Sequence, residues 1–436
     1  MKVIALKPHP SVVPDPIGGT EAASRAWRWS LVLTAPHRLG FAAGALIMAV
    51  SALWWTLALI ARAASLNLAF AVPPAIAHSV LMGFGFMPLF FVGFLFTAGP
   101  KWLGQPAVDS AGLVRPIALI VAGWLLFVPA VHFHSWAAAA CVVLVAAGWS
   151  VITIRFVRLV RSSRAPDRLH ATVVMLACVV GSVALSAVVI GLAAAQFTLI
   201  RISVMAGLWG FVAVVYVAVA HRMIPFFTAN VVPRLSAWHP LWLLAVFVSA
   251  LLIELAFAVL ELVVWPVPFG WRIAQVVLEV PMAAALLALA VKWGLMQSLR
   301  ARLLAMLHVG FVWFGITMVL QAISHVLMLL TDGRASLGLA PTHALTMGFM
   351  GATLMAMATR VSAGHSGRSL VADNVVWVLF WTQQLATTLR LVAAVWAEVA
   401  IPLTVIAAIL WTASTVSWAV RYGLWYGQPR FDGQSG

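Results

Sequence analysis

Two histidines of this chain stand at the head of the same short pattern, His-x-x-x-Met-Gly-Phe. His78 begins "HSVLMGF" and His343 begins "HALTMGF". Residues four apart share one face of a helix, so Met82 and Met347 place a thioether beside each imidazole. Imidazole binds haem iron and copper, and thioether sulfur favours Cu(I). The pattern predicts a metal or haem ligand in each segment, with packing as the simpler explanation for the methionines.

Four further histidines lie in or at the ends of apolar segments. His308 and His325 share one segment and are separated by about 25 Å if it is a helix. His170 and His221 lie at the ends of two others. Ionisable groups in such segments are costly and tend to be functional, so we predict metal ligation by all four. The remaining histidines are more simply explained as interfacial side chains: His9, His37, His132, His134 and His239.

Few acidic or amide side chains interrupt the apolar segments. Glu279 lies two residues before Pro281, and Glu254 lies on the preceding segment. A protonated glutamate in a membrane can relay protons or bind a cation. Beside a proline it can equally satisfy backbone groups that the proline frees. Glu279 is therefore a possible proton relay, with the structural role left open. The buried amides are Gln321, Gln383 and Gln384.

The elements that must position these residues are membrane helices. Of 436 residues, 64% are hydrophobic and 8% are charged, whereas soluble domains have about 45–50% and about 25%. The composition predicts an all-α polytopic membrane protein. The two cysteines, Cys141 and Cys178, provide neither a disulfide framework nor a cysteine zinc site. No C-x-x-C-H occurs, so any haem is expected to be held non-covalently.

Apolar runs between turn signals predict twelve spans. They are 37–61, 75–99, 114–131, 136–157, 169–196, 200–221, 239–262, 273–296, 303–330, 341–360, 374–395 and 399–425. Of the 26 basic residues, all but five lie on even-numbered connections or tails, so the positive-inside rule places both termini in the cytoplasm. The five are Arg62, Arg201, Arg272, Arg334 and Arg390. We predict a disordered or amphipathic tail over 1–34, a single membrane domain over 35–425 and a cytoplasmic tail over 426–436.

This topology sorts the histidines into two layers. His78, His343 and His325 fall in the outer layer, and His308, His170 and His221 fall in the inner one. His365 follows the inner end of its span, in a glycine-rich turn between Arg360 and Arg368. Such a turn suits a haem propionate or a phosphate headgroup. The segment from His343 to His365 is thus predicted to connect an outer site to an inner one.

Several function classes are unsupported. The chain has no P-loop, dinucleotide fingerprint, HExxH or GxSxG motif in a usable context, which argues against nucleotide, zinc or serine hydrolysis. The net charge of +15 is assigned to membrane orientation rather than to nucleic acid.

Five segments together resemble the NnrS family. The resemblance covers about Ala35 to the end of the last predicted span, and its most specific part is the final segment. The family is one of polytopic bacterial inner-membrane proteins, linked to the nitric oxide response and described as containing haem and copper. The segments are "APHRLGF", "AHSVLMGFG…GFLFTAGPKWLG", "RMIPFFTAN", "LHVGFVWFG" and "PTHALTMGFMGATLMAMATRVSAGHSGRSL".

The resemblance implies roles for particular residues. Many relatives carry His-Ala-His-Glu-Met where this chain has Ala-His-Ser-Val-Leu-Met around His78. Roles of that extra histidine or glutamate therefore do not transfer. The positions that fall on family motifs are His78, His308, His343, His365, Arg360 and the segment 222–228.

The leading hypothesis is a redox protein of the bacterial inner membrane. The resemblance implies haem b and copper as cofactors, nitric oxide as ligand or substrate, and a quinol or small redox protein as electron donor. Besides membrane lipid, we expect no nucleic-acid partner. The alternatives are a transporter for copper, haem or a small anion, and a membrane chaperone that delivers copper or haem. No inverted pair of broken helices supports the transporter.

Overall fold

The computed structural model describes residues 26–232 and 238–433. It is 81% helical and has no strands in those residues. Residues 1–25 of the predicted N-terminal tail lie outside the described part of the chain. The described part begins with a single helical turn, Trp29–Val32.

Thirteen helices of the described residues form the bundle. The apolar runs of about 20 residues fold as long helices, because lipid offers no hydrogen-bond partner to backbone N–H and C=O groups. Gly, Pro and charged residues form the connections between the runs. They are α1 Pro36–Ala63, α2 Pro74–Phe84, α3 Met87–Trp102, α4 Ala111–Phe133, α5 Ser135–Ser162, α6 Leu169–Ala193, α7 Phe197–Val231, α8 Leu241–Val263, α9 Phe269–Lys292, α10 Arg302–Leu330, α11 Ala340–His365, α12 Asn374–Val395 and α13 Ala400–Tyr426.

Eleven stretches of the described residues are long and apolar enough to cross a membrane, which confirms the all-α membrane class. The predicted span 374–395 is not among them. It forms α12, a helix of 22 residues, but Gln383, Gln384 and Arg390 make it more polar. The count of twelve spans and the cytoplasmic termini stay predictions.

Consecutive helices pack side by side, and α13 packs against α1. The last span therefore closes the bundle onto the first. The spans α2–α3, α7, α10 and α11 are the most enclosed, with 78%, 83%, 67% and 72% of their most apolar window buried, against 17% for the span that includes α13. All but one of the predicted ligands lie on these four spans, so the predicted chemistry belongs to the interior of the bundle.

Both copies of the His-x-x-x-Met-Gly-Phe pattern lie where a helix is irregular. The predicted span 75–99 breaks between α2 and α3, one residue after the pattern, at Gly85 and Phe86. The predicted span 341–360 contains a π-helical stretch, Ala344–Gly351, directly after His343. A second π-helical stretch, Ala206–Val212, lies in α7. Such stretches are frequent at functional sites, and the pattern alone did not reveal them.

Candidate cofactor-binding site

A close pair of imidazoles lies at the predicted inner end of the bundle. His37 comes from the first turn of α1 and His365 from the last residue of α11. Their ring centroids are 4.2 Å apart and the planes are tilted by 33°. Sequence reasoning chose His365 and explained His37 as interfacial. The usable signal was that "APHRLGF" is one of the segments carrying the family resemblance.

Positive charge surrounds this inner pair. The charges of Lys101, Arg38 and Arg430 reach both imidazoles. Arg38 is buried, and its Nη1 donates to the carbonyls of Tyr426 (3.2 Å) and Gln428 (2.8 Å). The segment after α13 is thereby held against α1, although sequence reasoning assigned 426–436 to a tail.

The three arginines of this region have different partners. Hydrogen bonds from Arg430 to Asp432 raise the pKa of that guanidinium. Arg368 lies 4.2 Å from the centroid of the Trp425 ring. Arg360, a predicted cofactor-binding residue, lies 3.9 Å from the centroid of Phe227. Cation–aromatic contact holds a guanidinium in place without neutralising it, so the region keeps an excess of positive charge.

An aromatic cavity adjoins the inner pair on its membrane side. Its walls are apolar and largely aromatic. Phe41 follows His37 by one turn on α1, and Met357 precedes His365 by about two turns on α11. The remaining lining residues come from α3, α7 and α11: Phe90, Phe91, Phe94, Val215, Tyr216, Val219, Thr353, Leu354 and Ala358.

The predicted outer ligands His78 and His343 also form a pair. Their charges interact with each other and with that of Arg390 from α12. The His78 ring stacks on Trp55, with centroids 4.0 Å apart and an interplanar angle of 18°. His343 donates from Nδ1 to the carbonyl of Leu339 at 2.9 Å, so in the neutral ring Nε2 keeps its lone pair. The fold therefore places the two repeated patterns within electrostatic range of each other.

The thioethers and the imidazoles of the outer site differ in their surroundings. Nδ1 of His78 is buried and has no hydrogen-bond partner among the described residues. Met82 packs against the hydrophobic core. Met347 is partly buried. The imidazoles, rather than the sulfurs, are the groups of this site with unused ligand capacity.

His308 has a free nitrogen in the core. The Thr228 hydroxyl donates to the Ile224 carbonyl (2.8 Å), so it accepts from Nε2 of His308 (2.9 Å). The proton of the neutral ring is then on Nε2, and Nδ1 carries the lone pair. That Nδ1 is buried and has no partner among the described residues. Thr228 lies in the segment 222–228 that the family resemblance singled out.

His170 and His221 form the other predicted inner pair. Nε2 of His221 donates to the Pro240 carbonyl (3.2 Å), so its Nδ1 accepts from Nε2 of His170 at 3.0 Å. Nδ1 of His170 is buried without a partner among the described residues. His239, which sequence reasoning assigned to the interface, lies 5.4 Å from His221 between ring centroids. The three imidazoles are close, but a hydrogen bond occupies the nitrogens that face each other.

Both ring nitrogens of His325 are engaged by acidic or amide groups. Nδ1 lies 2.7 Å from Oε1 and 2.9 Å from Oε2 of Glu279. Nε2 lies 3.2 Å from Oε1 of Glu261 and 3.3 Å from Nε2 of Gln275. His325 would have to leave a carboxylate to take a metal. Glu279, which sequence reasoning considered as a proton relay, is its direct partner.

Two further histidines have structural roles. His132 donates from Nδ1 to the Ala69 carbonyl (2.9 Å) and accepts from the Trp54 indole (3.1 Å). His134 accepts from the backbone of Trp136 and caps α5. Both nitrogens of His132 and Nδ1 of His134 are therefore engaged within the protein.

The candidate ligands of the site occur in pairs rather than in larger converging sets. Among residues 26–232 and 238–433, no three His, Cys, Asp or Glu side chains converge to hold a metal. A copper or zinc ion needs about three or four protein ligands, whereas haem brings four nitrogens and needs one or two. Pairs of imidazoles beside an aromatic cavity and a basic rim meet the second requirement.

The comparisons with known proteins give one result. No curated protein matches the chain. The family described as NnrS protein matches residues 31–430, which include the inner pair, the outer pair, His308 and the cluster around His325. Because the match covers nearly the whole chain, this protein belongs to the NnrS family.

Proposed function

We propose that the protein binds haem b in the membrane and acts in the nitric oxide response by binding and reducing nitric oxide. An NnrS-family membrane protein fits a nitric oxide response role. The proposal of haem rests on one observation. The inner pair His37–His365 lies one to two helical turns from an apolar, largely aromatic cavity.

The basic rim supports haem at this place. Haem b carries two propionates, and Arg38, Arg360 and Lys101 bring positive charge to the inner end of the cavity. Guanidinium groups pair with carboxylates in a bidentate manner. The aromatic walls would exclude water from the macrocycle, and either imidazole of the pair would bind its iron.

The outer pair His78–His343 is the second proposed ligand pair. Its neighbour Arg390 favours a ligand that carries negative charge, as haem does through its propionates. Copper fits less well, since no three His, Cys, Asp or Glu side chains of the described residues converge. At His170 and His221 copper would have to displace the hydrogen bond between the rings. The copper centre stays a prediction.

The proposed reaction balances with a quinol as the reductant. Two nitric oxide molecules, two electrons and two protons give one nitrous oxide and one water. One N–N bond forms and one N–O bond breaks. A membrane quinol supplies both electrons and becomes the quinone. Bound haem would supply an iron that binds nitric oxide and exchanges single electrons; the protein supplies ligands, an apolar cavity and charge compensation.

Spectroscopy of the purified protein tests the haem. We expect a Soret band and a pyridine haemochrome of haem b, and loss of most of the haem in His37→Ala and His365→Ala. His134→Asn is the matched control, because it removes an imidazole but keeps a good helix cap. Folded protein without haem, produced in cells supplied with haem, would overturn the proposal.

A second measurement separates reduction from transport. With a quinol, we expect the haem-loaded protein to convert nitric oxide to nitrous oxide, and the haem spectrum to change when nitric oxide is added. Haem that is retained but inert toward nitric oxide would refute the enzymatic part. Uptake of copper or haem by vesicles carrying the protein would favour the transporter instead.

A further inference from the structure

A buried cluster of acids around His325 lies apart from both imidazole pairs. It is built by the predicted outer halves of α8, α9 and α10. Its titratable members are Glu254 and Glu261 on α8, Arg272 and Glu279 on α9, and His325 on α10. Gln275 and Gln321 complete it. Five ionisable side chains in one membrane interior are expensive, and such groups usually mark proton or ion pathways.

The two contacts between His325 and carboxyl groups together need two protons. A carboxylate oxygen is an acceptor, and so is an unprotonated imidazole nitrogen. The contact from Nδ1 to Glu279 and the contact from Nε2 to Glu261 therefore each need a proton. A neutral imidazole supplies one. The second proton is carried either by the ring, as imidazolium, or by a carboxyl group. In both cases it lies in a hydrogen bond between two groups that can exchange it.

The second proton is best placed on the ring, because imidazole is more basic than a carboxylate. With His325 and Arg272 positive, and Glu261 and Glu279 negative, these four groups sum to zero. Oε2 of Glu254 accepts a long hydrogen bond from Gln321 (3.4 Å), and its Oε1 is buried without a partner in the described residues. An ionised carboxylate with a bare buried oxygen is costly. Glu254 is therefore best accommodated as the neutral acid, which leaves the cluster uncharged overall.

Solvent exposure decreases from one end of the cluster to the other. The exposed fraction of the side chain falls from 29% at Glu261 to 6% at His325 and 0% at Glu279. Glu254 lies seven residues before Glu261 on α8, about 10 Å deeper. On α10, Gln321 lies one turn deeper than His325. The two helices thus carry a partly exposed rung, Glu261 with His325, and a buried rung, Glu254 with Gln321.

We propose that Glu261, His325 and Glu279 form a proton-loading site that fills through Glu261 from the predicted outer face, with Glu254 as the next group inward. Starting from the neutral ring with its proton on Nδ1, a proton that arrives at Glu261 passes to Nε2 of His325 and forms the imidazolium. The ring becomes neutral again when the Nδ1 proton is released to Glu279. No bond other than these N–H and O–H bonds changes. The consumption of such protons by nitric oxide reduction rests on the proposed function; the loading does not.

Nitrogen-15 solid-state NMR of the histidine-labelled full-length protein tests the loaded state. We expect an imidazolium signal that is absent from His325→Gln and becomes a neutral-ring signal in Glu279→Gln. Glu398→Gln is the control, because Glu398 is exposed on the predicted outer side and lies outside the cluster. If no imidazolium signal depends on His325, the proposal is wrong.

A pH jump followed by time-resolved infrared spectroscopy tests the route. We expect Glu261→Gln to slow the response of the buried carboxyl bands by about 100-fold or more, the usual contribution of a positioned proton-transfer group. Glu398→Gln should respond like the unmodified protein. An unchanged rate in Glu261→Gln would overturn the route, because the cluster would then be a static ion network. Neither experiment uses nitric oxide, so a protein that loads protons but does not reduce nitric oxide would disprove only the proposed function.

Discussion

Among single residues, hydrogen bonds select which nitrogen of each buried imidazole can bind a metal. The Thr228 hydroxyl fixes the proton of His308 on Nε2, and the carbonyl of Leu339 fixes that of His343 on Nδ1. The opposite nitrogen of each ring is left with its lone pair. Partners of this kind set the orientation and basicity of a ligand, and their loss typically costs about 10–100-fold in metal affinity.

His308 and Thr228 give a prediction at this scale. His308→Ala should remove any metal or haem bound there, whereas Thr228→Val should weaken that binding by about 10–100-fold. The reason is that valine keeps the shape of threonine but cannot hold the proton on Nε2. The measurement is a metal and haem titration of the purified variants. His132→Gln is the control, because both nitrogens of that ring are already hydrogen-bonded. Equal affinity in Thr228→Val and the unmodified protein would exclude this role.

The sequence revealed the residues of the site better than it revealed their groupings. Layer and spacing predicted that His78 and His343 share a depth, and the fold brings them within electrostatic range of each other. His325 shares that depth too, yet it lies among carboxylates, because α8 and α9 present Glu261 and Glu279 to it. His37 was missed because a lone histidine at a helix start resembles an interfacial side chain. Only packing, which brings the first and eleventh helices together, distinguishes the two cases.

At the scale of elements, close helix contacts hold α1 where the inner site needs it. A Cβ added to Gly40 would lie 2.5 Å from the backbone nitrogen and 2.7 Å from the Cα of Gly93. Small residues let membrane helices approach in this way. His37 lies one turn before Gly40 on α1, so the contact between α1 and α3 also sets the position of the inner pair.

Gly40→Ala should therefore destabilise the protein and disturb the inner site. The clash is with backbone, which cannot rotate away, and overpacking of this kind typically costs about 1–3 kcal/mol. Gly83→Ala is the matched control: a Cβ there meets nothing within 4 Å, and alanine favours a helix over glycine by about 0.5–1 kcal/mol. Thermal unfolding in detergent should show a lower midpoint for Gly40→Ala and an equal or higher one for Gly83→Ala. A haem content that follows the midpoint would support the link to His37, and unaltered stability of Gly40→Ala would argue against the contact.

For the whole molecule, composition was sufficient for the class and insufficient for the arrangement. Runs of apolar residues predicted long helices correctly, since lipid leaves the backbone no other partner. The positions of the helix break and of the π-helical stretches did not follow from composition. One π-helical stretch lies where Gly348 packs against the Trp313 ring, so closely that an added Cβ would lie 2.6 Å from it. The enclosure of α2–α3, α7, α10 and α11 likewise depends on how the closed bundle packs, which hydropathy does not encode.

The orientation of the whole molecule decides which solution each site meets. The distribution of Lys and Arg predicts that Glu398 faces outward and that Ser162 faces the cytoplasm. Both side chains are exposed, and the native Cys141 and Cys178 are buried, so an introduced cysteine can be labelled selectively. In right-side-out membranes, a membrane-impermeant maleimide should label Glu398→Cys at once and Ser162→Cys only after the membrane is opened. The reverse pattern would turn the bundle over. The inner pair would then face away from the cytoplasm, and the carboxylates around His325 would take up protons from the cytoplasmic side instead.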